Sequence, residues 1–390
     1  MGLTTIDAVQ SASIICYAIA AVGCIYALAA AWLTRDFAAS SAAPAEAGNA
    51  PGITILKPLH GAEPGLYSHL ASFCAQDYPG PVQILFGVSD PNDPAIPIAR
   101  RLISDFPELD LELVIDGHRH GTNRKVSNLI NMAPRAKYDV LALSDSDIVV
   151  DRDYLKNIVA EIDKPDVGIV TCLYRGTTSA SPWAHLAAAG IDHHFVPSVL
   201  VGLKLRLARP CFGSTIAIRK DTLAMIGGFQ AVVEELADDY VMGDLVRRAG
   251  LTVAIAPFTV AHHCTHRTAW ELFKHELRWA RTIRFLDPVG YLGSAVTHAL
   301  PFALLGTLLG GITPASGLVL VALACRFTVQ VQVDRAFRRQ GRRLWIGPVR
   351  DVLSFAIFLA SFLGRAVEWR GHRYKVEPSS KFVYAGEAKP

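Results

Sequence analysis

The pattern of apolar and polar positions divides the chain into a mixed central part between apolar ends. Residues 14–33 are apolar and uncharged, which is about the length that crosses a hydrocarbon core of roughly 30 Å. A cleavable signal peptide is the alternative, but residues 1–13 carry no Lys or Arg, and the apolar run exceeds a signal-peptide core. We therefore predict a membrane anchor over residues 1–35. Arg35 follows the run, so the positive-inside tendency predicts a cytoplasmic position for what comes next.

The central part of the chain, after a short linker, alternates between β-strand-like and helix-like stretches. Residues 36–51 are rich in Ala, Ser, Pro and Gly, which predicts a linker. Short β-rich runs then alternate with amphipathic helical stretches, and this order predicts an α/β domain over residues 52–288, with a mainly parallel sheet covered by helices on both faces. The predicted strands are 53–56, 82–88, 111–115, 140–143 and 167–172, and the helices are 66–74, 96–106 and 154–162.

Apolar character returns after the central domain. Residues 291–312 and 317–333 are joined by an uncharged turn containing Pro314, and this predicts a membrane-spanning helical hairpin. Five arginines between positions 335 and 343 predict that the following loop is cytoplasmic. A last apolar run, 352–363, is short for a crossing, and the pattern leaves open whether it spans or lies in the interface. We assign residues 289–370 to C-terminal membrane helices and 371–390 to a tail.

Composition supports a membrane protein and argues against one class of partner. Apolar residues make up 51% of the chain and charged residues 19%, which is typical of a membrane-associated protein. The net charge of +3 is small, and no basic run is interleaved with aromatic residues, so we exclude nucleic acid as a partner. The seven cysteines form no C-x-x-C pair and predict no disulfide framework.

Acidic residues follow two of the predicted strands. Asp90 comes after 82–88, and Asp145 and Asp147 form a D-x-D after 140–143. Ligands of open parallel sheets bind beyond the carboxyl ends of the strands. Paired carboxylates there can hold a hard divalent cation that bridges a diphosphate, and Asp90 can bind a base or ribose. Strand termination and helix capping are the alternative roles of such residues.

A third acidic cluster lies about ninety residues further on. Glu234 and Glu235 are followed by Asp238 and Asp239, ahead of an amphipathic run. An Asp near a helix start can be kept ionised and can take a proton from an attacking hydroxyl. Helix capping would explain one of these acids, but not four. The cluster therefore indicates a general base.

Basic and aromatic residues complete the candidate site. His275, Arg278 and Trp279 lie at i, i+3 and i+4 of a predicted helix and share a face. That face can grip a diphosphate leaving group, or it can rest at the membrane interface, and spacing does not choose between these roles. Lys125 can reach a phosphate, with a solvated turn as the alternative.

Three histidines and a cysteine lie close together just before that helix. The spacing of these residues, which are His262, His263, Cys264 and His266, matches no standard zinc motif, and no second group of ligands follows to complete a site. We interpret them as the polar end of a strand near the site.

The ordered set of motifs carries more information than any single member. Asp90, Asp145-Ser146-Asp147, Asp238-Asp239-Tyr240 and His275-Glu276-Leu277-Arg278-Trp279 resemble the D, D, D, (Q/R)-x-x-R-W signature of ceramide glucosyltransferase-like enzymes, of the family 2/21 type. The last motif departs from the family at its first place, which is His275. Residues 57–61, 76–79, 123–129 and 209–215 are most similar to the hopanoid-biosynthesis branch of that family.

The resemblance implies a GT-A fold and inverting transfer from a UDP-sugar with a divalent metal ion, Mg²⁺ or Mn²⁺. It implies that Asp90 contacts UDP, that Asp145 and Asp147 bind metal and diphosphate, and that Asp239 is the base. Arg278 and Trp279 would complete the catalytic site, with His275 and Lys125 expected on the donor side.

The resemblance also implies a membrane lipid as the acceptor. In the hopanoid branch, N-acetylglucosamine passes from UDP-N-acetylglucosamine to a hopanoid such as bacteriohopanetetrol, at the cytoplasmic face of a bacterial inner membrane. Ceramide glucosylation from UDP-glucose is the alternative within the class. A processive polysaccharide synthase needs more spanning helices than this sequence predicts, and a non-catalytic membrane scaffold would tolerate loss of the acidic clusters.

Overall fold

The computed structural model describes residues 5–40, 50–178, 181–339, 343–369, 372–376 and 382–387. Its strands are β1 (Ile53–Pro58), β2 (Val82–Val88), β3 (Asp110–Ile115), β4 (Val140–Leu143), β5 (Ile148–Val149), β6 (Val167–Thr177), β7 (Ile216–Arg219), β8 (Thr252–His263), β9 (Ala366–Trp369), β10 (His372–Val376) and β11 (Phe382–Glu387). Its helices are α1 (Thr5–Ser40), α2 (Leu66–Cys74), α3 (Ala95–Asp105), α4 (Arg124–Met132), α5 (Tyr154–Ile162), α6 (Pro182–Gly190), α7 (Val196–Lys204), α8 (Lys220–Met225), α9 (Asp238–Arg248), α10 (Ala269–Leu286), α11 (Pro288–Gly293), α12 (Ala299–Gly310), α13 (Leu318–Ala336) and α14 (Ile346–Ser361).

An eight-stranded sheet forms the centre of the molecule, in the order β3-β2-β1-β4-β7-β6-β8-β5. The first four strands are parallel to one another, β7 runs antiparallel between β4 and β6, and β6 is parallel to β8. Strand β5 pairs antiparallel with β8 at the edge. The predicted α/β fold with a mainly parallel sheet is therefore confirmed. The five predicted strands are present, whereas β5, β7 and β8 were not predicted.

Both faces of the sheet are covered, and the alternation of side chains along β1 shows it. Ile55 belongs to the apolar cluster beneath α2, α3 and α5, while Leu56 belongs to the cluster on the opposite face with α4 and α9. All six residues of β1 are buried, as in a central strand of a doubly covered sheet. The carboxyl ends of β1, β2 and β4 consequently meet at one edge.

Helix α1 is longer than the predicted anchor. It has 36 residues, or about 54 Å at 1.5 Å per residue, and it continues to Ser40, inside the predicted linker. The rest of that linker, 41–49, lies outside the described residues. Small residues of α1, α12 and α13 pack together. A Cβ on Gly23 would lie 2.8 Å from Ala299 Cβ, so glycine lets the two backbones approach, as is common between membrane helices.

The C-terminal helices differ from the predicted hairpin in its first arm. Residues 291–312 do not form one helix: the segments Pro288–Thr297 and Ala299–Gly310 meet at a bend of 73°. The prediction of a single helix was wrong because apolar composition does not reveal the short turn of 3₁₀ helix at 294–297, and membrane crossing by this arm stays a prediction. Helix α13 corresponds to the second arm. Helix α14 begins before the predicted run and includes Arg350 and Asp351, both buried.

Three helices of the described chain are long and apolar enough to cross a membrane, and the bent pair would make a fourth if it is one span. They are Asp7–Ser40, Pro182–Lys204 and Pro314–Ala336. The second of these, which joins α6 to α7 through a turn of π-helix at Ile191–Phe195, was not predicted as a span. The segment predicted as a tail contains β10 and β11, which form a small antiparallel sheet with β9.

Candidate active site

Three charged side chains converge on Gly213, in the loop before β7. A Cβ placed on Gly213 would lie 3.1 Å from Lys125 Nζ, 3.2 Å from Asp145 Oδ2 and 3.4 Å from Asp239 Oδ2. Residues predicted separately from three parts of the sequence therefore meet around one glycine. Gly213 was quoted only within a resembling stretch, and its role as the meeting point was missed.

Lys125 links the D-x-D to the acidic start of α9. Its ammonium lies 2.7 Å from Asp145 Oδ1 and 3.6 Å from Asp238 Oδ2. Burial alone would lower the pKa of Lys125, but the two carboxylates outweigh burial and raise it. The lysine is fixed by its helix, because Asn123 caps α4 by accepting the Val126 N–H at 3.1 Å. Lys125 is thus a permanent cation inside the acidic cluster.

Asp239 has the environment of a base that titrates near neutrality. Its Oδ2 accepts the Gly213 N–H at 2.8 Å, and its Oδ1 accepts the Tyr240 N–H at 2.8 Å. Burial and the neighbouring Asp238 raise the pKa of Asp239 to about 6, against the opposing effect of Lys125. Such a carboxyl is mostly ionised at pH 7 and still basic enough to take a proton.

Asp147 forms the second half of the D-x-D site, together with a histidine from β8. Its Oδ2 lies 3.1 Å from His262 Nε2, and His263 donates its N–H to the Asp147 carbonyl at 2.9 Å. The cause is strand pairing, since Ile148 of β5 is in register with His262. Burial opposes ionisation of Asp147, but His262 outweighs it, lowers the pKa of Asp147 and has its own pKa raised.

The D-x-D residues fit a divalent cation. Asp147 Oδ1 is buried and has no hydrogen-bond partner, so one carboxylate oxygen is available to a ligand, and Asp145 is 40% exposed beside it. In the described residues no group of three or more His, Cys, Asp or Glu is arranged to hold a metal ion. A cation at this place would therefore take further ligands from a bound diphosphate, which hard divalent ions commonly do.

The histidine group is dispersed among several contacts. His262 Nδ1 lies 3.6 Å from Cys264 Sγ, while the ring of His263 is 4.8 Å from that of His69. His266 Nε2 lies 2.7 Å from His275 Nδ1. These residues stand at the end of β8 next to the D-x-D.

The face of α10 adjoins this histidine group. The ring of Trp279 lies 4.4 Å from that of His275 and 6.4 Å from that of His262. Burial and then the charge of Arg278 lower the pKa of His275, so its ring is neutral at pH 7. The structure thus brings the α10 motif to the D-x-D side of the sheet. Whether these side chains grip a diphosphate stays a prediction.

Asp90 lies apart from the charged residues around Gly213 and from the histidine group. Its Oδ1 accepts the Asn92 N–H at 2.9 Å in an exposed turn after β2. Strand β1 separates β2 from β4, so the D-x-D follows a strand about 10 Å away along the same edge. The contact of Asp90 with a nucleotide base or ribose therefore stays a prediction.

Lys57, at the end of β1, was missed as a site residue. It is fully buried, donates to the Asp145 carbonyl at 2.5 Å and to Ser144 Oγ at 3.3 Å, and lies over the ring of Phe73. Burial lowers its pKa to about 7, although Asp145 and Asp147 oppose this. A lysine inside an otherwise apolar strand was the available signal.

An aromatic cluster lies between the acidic group and the apolar helices. Tyr174 stacks on Phe195 at 4.7 Å and meets Phe212 edge-on at 5.9 Å and His262 at 5.6 Å. Burial and then Asp239 raise the pKa of Tyr174, which places its phenol near the acidic group. Phe195 and Phe212 also pack on an apolar cluster that includes side chains of α1 and α7.

The fold and the arrangement of its acidic edge define a GT-A-type α/β protein joined to apolar helices. A solved mannosyltransferase from Pyrobaculum calidifontis, in complex with GDP-Man and Mn²⁺, superposes with a TM-score of 0.53 at 18% identity, over 91% of this chain and 99% of its own. This likeness concerns the fold. The family model "Glycosyl transferase family 21" matches residues 15–382, and the chain belongs to that family. The resemblance to the ceramide glucosyltransferase-like family is thereby confirmed.

Curated relatives carry the same family relationship. The chain is 24% identical over 336 residues to ceramide glucosyltransferase 1 of Caenorhabditis elegans, covering 84% of this chain and 72% of the relative. It is 40% identical over 124 residues to a ceramide glucosyltransferase of Candida albicans, which is 29% of this chain and 23% of that protein. The chain thus spans less than a quarter of the Candida protein.

Proposed function

We propose that the protein is an inverting glycosyltransferase that moves a sugar from a nucleotide-sugar donor to the hydroxyl of a membrane lipid. The observation that carries the proposal is the convergence of Asp239, Lys125 and Asp145 on Gly213. A base whose pKa is about 6 stands there beside a D-x-D that has an available carboxylate oxygen. One base and one leaving-group site are what a single displacement requires.

Asp145 and Asp147 would hold a divalent cation together with the donor diphosphate. When bound, that cation neutralises charge on the departing diphosphate. Lys57 orients the loop after β4 by donating to the Asp145 carbonyl, and Lys125 forms an ion pair with the Asp145 carboxylate. The backbone and the carboxylate of Asp145 are therefore fixed before any donor arrives, which limits the reorganisation that the reaction needs.

In the reaction, Asp239 accepts the proton of the lipid hydroxyl as its oxygen bonds to the anomeric carbon of the sugar. The bond between that carbon and the diphosphate breaks, and the nucleoside diphosphate leaves with the bonding electron pair. The Gly213 N–H donates to Asp239 and keeps its carboxylate oriented toward the acceptor side. Arg278 would offset the charge of the leaving group.

Several features support an acceptor from the membrane. The aromatic cluster of Tyr174, Phe195 and Phe212 packs against side chains of α1 and α7, and this provides an apolar surface beside the acidic group that suits a lipid acceptor. Arg35 and Arg335 lie together at the end of α1 and α13 that faces the catalytic domain. By the positive-inside tendency this end faces the cytoplasm, which in a bacterial cell would mean the inner face of the inner membrane.

Two acceptor classes have separate support. The curated relatives are ceramide glucosyltransferases, which favours ceramide as acceptor and UDP-glucose as donor. The motifs at residues 57–61, 123–129 and 209–215 resemble the hopanoid branch, which favours N-acetylglucosamine transfer to a polyhydroxylated hopanoid. We rank the ceramide-type reaction first, since named relatives support it.

Purified full-length protein in lipid nanodiscs tests the proposal. It would be incubated with UDP-glucose or UDP-N-acetylglucosamine and with ceramide or bacteriohopanetetrol, and the lipid products weighed by mass spectrometry. Asp145→Asn is expected to weaken metal-dependent UDP binding about tenfold or more, because a carboxylate ligand is lost. Absence of a glycosylated lipid with every pair, or metal-independent UDP affinity that Asp145→Asn leaves unchanged, would contradict the proposal.

A further inference from the structure

Helix α10, which carries the last motif of the site, is held by a buried ion pair from outside the catalytic sheet. Arg350 of α14 donates from both terminal nitrogens to Glu276, at 2.7 Å and 2.6 Å. The side chains are only 7% and 12% exposed. Two parallel hydrogen bonds fix direction as well as distance, so this fork sets an angle between the two helices.

Glu276 stands on the flank of α10, beside Trp279 and about 160° around the helix from Arg278. At 100° per residue it is about 60° from Trp279 and 100° from His275 around the helix. At the outer radius of about 5–6 Å, a rotation of 10° moves a side-chain tip by about 1 Å. A misplacement of about 1 Å can cost up to 100-fold in rate. The rotation of α10 that Glu276 holds therefore determines where the side chains of α10 lie relative to the D-x-D.

A second, independent feature is that Gly190 leaves room for the guanidinium group of Arg350. A Cβ on Gly190, at the end of α6, would lie 2.5 Å from Arg350 Cζ and 2.6 Å from its Nε. The guanidinium group thus lies flat against the Gly190 backbone on its way to Glu276. Any larger residue at position 190 would displace it.

We infer that Arg350 and Glu276 are positioning residues: the apolar helix α14 sets the rotation of α10, and thereby the placement of Arg278 and Trp279 at the donor site. This inference rests on the proposed function for the role of α10, and it adds a dependence of the catalytic site on the C-terminal helices. Neither residue touches the reacting atoms.

The first test is a coupling experiment on the full-length protein. Glu276→Gln removes one carboxylate oxygen, and Gly190→Ala displaces Arg350 without changing charge. Each is expected to lower kcat about 10- to 100-fold, with the KM of the lipid changed less than about threefold, because the fork binds α10, which carries the donor-side residues. In an Arg278→Lys background the loss from Glu276→Gln should shrink to less than about threefold, because the two residues act through one path.

The matched control is Glu368→Gln. Glu368 pairs with Lys274 on the same helix at 3.0 Å, but both side chains are about 40% exposed, so kcat should stay within about twofold. A kcat of Glu276→Gln equal to wild type, or a loss of equal size in both Arg278 backgrounds, would overturn the inference.

Loss of one partner of a buried pair can also unfold a protein, so a second variant keeps the test decisive. In Glu276→Met/Arg350→Met the pair is replaced by apolar side chains of similar length, and such replacements commonly retain the fold. Its melting temperature should stay near wild type while kcat remains about tenfold or more reduced. Wild-type kcat in this folded variant would show that the fork does not set the angle.

Failure of the proposed function would be seen separately. If the wild-type protein glycosylates no lipid, the binding of UDP with Mn²⁺, measured by calorimetry, becomes the readout. A UDP affinity weakened about fivefold or more by Glu276→Gln, and unchanged by Glu368→Gln, would support the positioning role. Equal affinities in all three proteins would refute it.

Discussion

The prediction that tests the site most directly is Asp239→Asn. Asparagine has nearly the same shape, and its single amide oxygen can still accept one of the two N–H groups, of Gly213 and Tyr240, that hold Asp239. It cannot accept a proton at neutral pH. We therefore expect retained fold and donor binding, with kcat reduced about 10²- to 10⁴-fold, the usual contribution of a general base.

The pH profile of the wild-type protein gives the same test without a mutation. With the pKa of Asp239 at about 6, the reactive form is the carboxylate, so the rate should rise with pH and level off above about 7. At pH 5 about one molecule in eleven carries the carboxylate, which predicts a rate about tenfold below the plateau. The residual activity of Asp239→Asn should lack this fall in rate at acid pH.

The variant should also be no less stable than the wild type. The carboxyl binds its proton more tightly in the folded state, where its pKa is about 6, than at its usual value of 3.8. The stability this provides is present below pH 3.8 and is lost as the pH rises through 6. At pH 7.5 the charged Asp239 therefore costs up to about 3 kcal/mol, which asparagine relieves. The one N–H that faces the amide nitrogen costs about 1–3 kcal/mol in return, so the melting temperature should not fall.

The measurements are UDP release with lipid acceptor and thermal unfolding in detergent. Asp244→Asn is the matched control, because Asp244 lies on the same helix in a surface pair with Arg248 at 2.7 Å, where loss of a pair changes little. If Asp239→Asn kept near-normal kcat, or if the wild-type rate did not fall below pH 6, Asp239 would not be the base.

Two further predictions concern residues around the acidic group. Gly213→Ala should lower kcat about tenfold or more, since its Cβ would stand 3.1 Å from Lys125 Nζ and 3.2 Å from Asp145 Oδ2, and a normal kcat in a folded variant would contradict the convergence. Lys57→Met should cost about 1–3 kcal/mol in the free energy of unfolding, because the partly buried Asp145 carbonyl loses its donor. Chemical denaturation measures this, and an unchanged midpoint would refute the account of Lys57.

Some parts of the site could be predicted from local sequence, because they depend on what immediately follows a strand or begins a helix. Asp145 and Asp147 follow β4, and Asp239 begins α9, as expected. Contacts between distant segments gave no comparable signal. His262 reaches Asp147 across 115 residues of sequence because β5 pairs with β8, and β5 has two residues, too few for any periodicity to be read.

The sequence by itself determined the α/β alternation, the apolar N-terminal helix and the order of acidic motifs, because repeats of 2 and 3.6 residues and strand-end residues are local properties. The tertiary structure decided which of these motifs meet. The gathering of charges at Gly213 and the fork between Arg350 and Glu276 both depend on chain segments far apart in sequence. Such contacts arise when the whole core packs, and no short stretch of sequence contains them.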